Sequence, residues 1–184
     1  MQIGIGQVDL AILLPVCAAA WNLTGGQTLF APRKDSGRVY LSSDGLFAVE
    51  TPDGWEPREQ EGSSEVTFLR GKAVVSVGAA EDESGDTVEE ILEFNKSVVR
   101  RLCPAAEIWT EGKAAVAGAP GAYFSMLCPG PQAGTIVRVS AALIRERFLI
   151  FKVAAPCAEL YAAQAAIDRI ARSLRDGWPT LDPQ

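Results

Sequence analysis

The chain predicts an α+β fold, a central antiparallel sheet flanked by two main helices, on three observations. Short β-rich runs separated by turn residues recur as hairpins along most of the sequence. Only two stretches space their apolar residues as a helix does, so strands do not alternate with helices as a doubly wound parallel sheet requires. Composition is that of an ordinary globular protein, with 184 residues, 48% of them hydrophobic and 22% charged, enough to bury a core without disulfides or a metal.

The first hairpin is Val39-Tyr40-Leu41 and Leu46-Phe47-Ala48-Val49 around Ser42-Ser43-Asp44-Gly45, because Asp-Gly between apolar runs marks a tight turn. Pro52-Asp53-Gly54-Trp55 ends the second strand and places Trp55 in the core. Val66, Phe68 and Ala73–Val77 read as two strands joined near Gly71. Thr87-Val88-Glu89-Glu90 is a capping box, and it opens a helix with Val88, Ile91, Leu92, Asn95, Val98 and Leu102 on one stripe. Arg100 and Arg101 suit its C-terminal end, and Pro104 stops it.

A second hairpin follows, Ile108–Ala117 and Ala122–Leu127 about a turn at Gly118–Gly121, with Trp109 expected in the core. After a loop from Pro129 to Gly134 come two long strands, Thr135–Ile144 and Phe148–Val153, joined at Arg145–Arg147. Pro156 suits the first position of a second helix, whose stripe is Leu160, Ala163, Ile167, Ile170, Ala171 and Leu174. The resulting organisation is an apolar N-terminal segment over 1–20, a linker over 21–37, one domain over 38–176 and a tail over 177–184.

Leu10–Ala20 is too short to span a bilayer as a helix. It suits the apolar region of a signal peptide with a small-residue cleavage site at Ala18-Ala19-Ala20, although residues 1–9 carry no Lys or Arg. Lipidation at Cys17 and retention of the segment in the mature fold are the other two readings.

The chain contains no histidine. That removes the commonest neutral-pH acid/base, the commonest metal ligand and the usual activation of Ser and Cys nucleophiles. Ser125 and Ser140 lie in strands without a nucleophile elbow. The acidic run Glu81–Asp86 lacks the spacing of a calcium loop and reads as a solvated loop. No cofactor and no metal site is expected. A net charge of −6 has the wrong sign for a nucleic-acid binder; Arg138, Arg145, Arg147 and Lys152 offer a local basic patch if they share one face, but read mostly as solvated strand faces.

Cys103 precedes the second hairpin and Cys128 ends it, so the two come within disulfide range if the chain is exported to an oxidising compartment. Otherwise both are small buried hydrophobes. Cys157 begins the second helix. Trp178, in the tail, either docks on the domain or contacts a partner.

The order of elements and their punctuation resembles the PsbP-like superfamily. The resemblance rests on Val39-Tyr40 leading into Gly45-Leu46-Phe47, on Pro52-Asp53-Gly54-Trp55, on the Thr87 helix, on the Gly118 turn and on Ile170-Ala171-Arg172-Ser173-Leu174. It implies an α/β/α sandwich and a role in binding or assembly rather than catalysis, with no site residues carried over. The expectation is therefore a non-enzymatic module of an exported, periplasmic or extracellular protein with a protein partner, touching the membrane only through an N-terminal anchor. A cytoplasmic chaperone or adaptor shielding an apolar client segment is the alternative, and a hydrolase built on a carboxylate pair is a third reading.

Overall fold

The computed structural model describes residues 39–42, 45–59, 64–81, 85–130 and 134–176. The segment 1–20, the linker, Cys17 and Trp178 lie outside them.

Among the described residues ten strands and two helices follow one another as β1 (Val39–Leu41), β2 (Phe47–Glu50), β3 (Glu56–Glu59), β4 (Glu65–Arg70), β5 (Ala73–Glu81), α1 (Val88–Leu102), β6 (Glu107–Val116), β7 (Ala119–Cys128), β8 (Thr135–Ile144), β9 (Arg147–Pro156), α2 (Cys157–Ser173) and β10 (Arg175–Asp176). Seven strands form one sheet in the order β3-β4-β5-β9-β8-β7-β6, and β1-β2-β10 form a small second sheet. Every pairing is antiparallel. The predicted α+β class and antiparallel sheet are what the chain adopts.

Strand alternation divides the large sheet into two apolar faces. Phe124, Met126, Val137, Val139 and Ile150 pack with Leu92 and Val99 of α1. Val75, Val77, Phe151 and Val153 pack with Ala163, Ile167 and Ile170 of α2 and with Tyr40, Phe47 and Val49 of the small sheet. The result is three layers, with α1 over β7 and β8 and α2 over β9, β5 and β2.

α1 starts where the capping box requires. The Glu90 backbone N–H donates to the Thr87 hydroxyl at 3.2 Å, and the Thr87 N–H donates to Glu90 Oε2 at 2.7 Å. That backbone donation, joined by the Thr87 hydroxyl, holds the Glu90 carboxyl below the ordinary value. The polar member of the stripe, Asn95, is buried and donates to the Ile91 carbonyl at 2.8 Å. Lys96 is also buried; its Nζ donates to Glu93 and Glu111, each at 2.7 Å, and lies 5.6 Å from the centre of the Phe124 ring. Burial pushes Lys96 down, but hydrogen bonds to Glu111 and Glu93 outweigh it and leave its pKa raised.

Three details differ from expectation. The β6–β7 turn is Ala117–Gly118, so Pro120 and Gly121 belong to β7. Gly121 is needed there because a Cβ would collide with the Ala141 carbonyl oxygen of β8. Strand β3 was not anticipated, because Glu-Pro-Arg-Glu carries no apolar alternation; only pairing with β4 makes it a strand. Lys152 is not solvated: it is 5% exposed, and its Nζ donates to the buried Glu65 carboxylate at 2.9 Å. It also faces away from Arg138, since Arg138 pairs with Val153, the neighbour of Lys152 on β9; these two cations do not share a face.

Candidate functional site

The two helices are offset across the sheet. Because α2 sits over β5 and β9 and reaches only as far as β8, the face of β6 and β7 on its side lies beyond its edge, and a cleft opens there. Its volume is about 440 Å³. The floor is built by alternate residues of four neighbouring strands, β6 to β9. Thr110 stands across from Ser125, Ser125 across from Arg138, and Arg138 across from Val153. The far wall is α2, through Leu160, Gln164, Ile167, Asp168 and Ala171.

This floor is polar where the same strands are apolar on the α1 side. Arg138 is exposed and its guanidinium lies 4.2 Å from the centre of the Tyr123 ring, a stacked cation–π contact. The Tyr123 hydroxyl is 3.2 Å from the Thr110 hydroxyl. On α2, Gln164 Nε2 donates to Asp168 Oδ1 at 2.7 Å, and Arg172 Nε donates to the Asp168 carbonyl oxygen at 3.1 Å. The cleft thus offers hydroxyl donors and acceptors, one fixed cation and one fixed anion around apolar surface from Ile136, Phe151 and Val153.

Trp109 stands at the mouth of the cleft. Expected in the core, it is 64% exposed. The cause is a bulge: β6 slips register against β7 between Ile108 and Thr110, and the extra residue is Trp109. Bulges turn a side chain away from its ordinary face, and no sequence alternation announces one. Trp55, by contrast, is 4% exposed as expected.

Chemically the cleft is poor. Among the described residues that line it only Arg138 and Asp168 are ionisable, a single carboxylate where acid/base hydrolysis needs two. Ser125 and Ser140 both line it, on adjacent strands. Among the described residues no three Cys, Asp or Glu side chains converge on a metal position, and no helix is long and apolar enough to cross a membrane.

The cysteines lie elsewhere. No disulfide joins Cys103 to Cys128. Cys128 is buried in the α1-side core and Cys103 packs against the same cluster. The hairpin does bring the strand ends together, with Glu107 opposite Leu127. A turn intervenes, in which the Ala106 N–H donates to the Cys103 carbonyl, so Cys103 belongs to the end of α1 and not to the line of β6. Cys157 is the first residue of α2 and its N–H donates to the Gly134 carbonyl at 3.0 Å.

Solved structures share this architecture. Cyanobacterial PsbP from Synechocystis sp. PCC 6803 superposes with a TM-score of 0.60 at 14% identity, over 84% of this chain and 99% of that one. The fold is PsbP-like. The PsbP-like fold also relates the chain to the Ran-binding protein Mog1p of Saccharomyces cerevisiae, with a TM-score of 0.53 at 11% identity over 79% and 96% of the two chains. LpqN of Mycobacterium tuberculosis, involved in cell envelope biogenesis, matches with a TM-score of 0.54 at 12% identity over 81% and 91%. No family model matches the chain, and no curated protein sequence matches it.

Proposed function

We propose that this protein is a non-enzymatic binding or assembly module that seats a segment of a protein partner in the cleft between α2 and the β6–β8 face. One observation carries the reading: the cleft combines apolar surface with fixed polar groups yet holds only one carboxylate, Asp168, and one cation, Arg138. Such a lining suits recognition, where a few placed polar groups orient an otherwise apolar contact, and it lacks the paired groups that proton transfer needs. Two PsbP-like structures point the same way: Mog1p binds the protein Ran, and LpqN takes part in cell envelope biogenesis. The signal-like segment 1–20 supports export, with the membrane met only at an N-terminal anchor.

The test has two parts. Mass spectrometry of the mature chain from its native compartment is expected to find a start at Trp21 or a lipid on Cys17; an intact cytosolic chain refutes export. Cross-linked co-purification with the parent chain and with Ala171→Trp, which fills the cleft from α2, is expected to lose the specific partner in the variant. Retention of the same partner by a folded Ala171→Trp protein refutes the cleft as the binding surface.

A further inference from the structure

The large sheet has two edges, and they are built differently. β3 is a four-residue edge, Glu-Pro-Arg-Glu. Its proline has no N–H and its charges repel another strand, the usual protection of a sheet edge. β6 is ten residues long and contains no proline. Glu107 to Lys113 are exposed at every position, and among the described residues no strand pairs with its outer side.

An exposed edge offers outward N–H and C=O groups from every second residue. Two copies of one edge therefore pair antiparallel only in registers where residues of the same parity face each other. Near the middle of β6 three such registers exist, centred on Glu111, Gly112 or Lys113. Centring on Glu111 sets two carboxylates opposite each other, and centring on Lys113 sets two ammonium groups opposite each other; like charges directly opposite are destabilising. Centring on Gly112 sets Glu111 of each copy across from Lys113 of the other, two opposite-charge pairs on one face. The Glu111 side chain is half exposed even while it accepts from Lys96.

Gly112 itself gives an independent indication. Glycine weakens a strand and commonly marks the close approach of another backbone. Inside this chain nothing requires it: its φ is not positive, and an added Cβ would meet the Tyr123 ring at 3.5 Å, ordinary contact. At a two-fold axis between two strands the missing side chain removes the one pair of Cβ atoms that would meet themselves.

We infer that β6 is a homodimerisation edge: two copies pair antiparallel through Thr110–Ala114, about a two-fold axis at Gly112, extending the seven-stranded sheet across both molecules. The bulge at Trp109 ends the regular pairing and leaves the exposed Ile108 and Trp109 of each copy beside the Ala115–Val116 end of the other. The two clefts then lie on the same side of one continuous sheet, either side of the seam.

The experiment uses the full chain. Gly112→Cys places two equivalent cysteines directly opposite, at a Cα separation of about 4.5–5.5 Å, within disulfide range. The expected result under mild oxidation is a reducible covalent dimer that the parent chain, with its own cysteines, does not form. Thr110→Cys is the register control, since its equivalents would lie about 14 Å apart and give no such dimer. Lys113→Glu replaces both attractive pairs by repulsive ones and is expected to weaken dimerisation about tenfold in sedimentation velocity, with an unchanged circular dichroism spectrum showing that the fold is kept. A parent chain that stays monomeric at all concentrations, or cross-linking at 110 as readily as at 112, overturns the inference.

Discussion

β7 and β8 present opposite characters on their two faces. Toward α1 they show Phe124, Met126, Val137 and Val139, all at most 4% exposed. Toward α2 they show Tyr123, Ser125, Arg138 and Ser140, which floor or border the cleft. The backbone is the same; the difference is which helix lies above. α1 is centred on these strands and seals them, whereas α2 is displaced toward β9 and β5 and reaches only β8 of the pair. The sequence of β7 and β8 follows that offset: the α1 face is apolar along its length, while the α2 face carries Ser125, Arg138 and Ser140 at the cleft between the apolar Ile136 and Ala142. The packed face and the cleft thereby lie on opposite faces of one pair of strands.

The comparison breaks most readily at the sealed face. Phe124→Ala is expected to cost about 3–5 kcal/mol in urea unfolding, while Arg138→Ala on the cleft face costs well under 1 kcal/mol because its contact is exposed. Equal losses would abolish the division of labour. Glu65→Leu strands the buried Lys152 ammonium and is expected to cost about 3–5 kcal/mol, whereas Glu65→Leu with Lys152→Met returns close to the parent stability. A double variant no better than the single one would show that the pair does more than satisfy itself.

Smaller effects sharpen the α1 side. Thr87→Ala removes the cap and is expected to cost about 1 kcal/mol. The lowered pKa of Glu90 means its contribution is present above the ordinary carboxylate value and lost as pH falls through the folded one, so the start of α1 is the acid-sensitive part of the helix. Lys96 behaves oppositely. Its pKa is raised, so its contribution is complete below the ordinary lysine value and is lost as pH rises through the folded value. Lys96→Met is expected to cost about 1 kcal/mol or less, since Glu93 and Glu111 are largely exposed, and that cost should vanish in strong alkali. Smallest is the β8–β9 turn, where Arg145 and Glu146 both hold positive φ, 48° and 64°; Glu146→Gly is expected to stabilise by about 1 kcal/mol.

Much of the fold was legible because its signals are local. The Thr87 cap, the two apolar stripes and the strand runs need only neighbouring residues to be recognised. The cleft was not legible. Ser125, Ser140 and Arg138 were each visible as strand residues, but nothing in their neighbourhoods says that α2 stops short of them. Trp109 was misplaced because a bulge is defined by the partner strand, and Lys152 because its counter-ion, Glu65, is 87 residues away.

The sequence by itself determined the class of the fold, the capped first helix and the antiparallel hairpins, since periodicity and turn chemistry are properties of the chain. Tertiary structure decided which strand faces stay uncovered, where Lys152 finds its partner, which way Trp109 points and that Cys103 and Cys128 share a core without a bond. These depend on the lateral offset of helices and the register between strands distant in sequence, which packing of the whole core sets and no local pattern encodes.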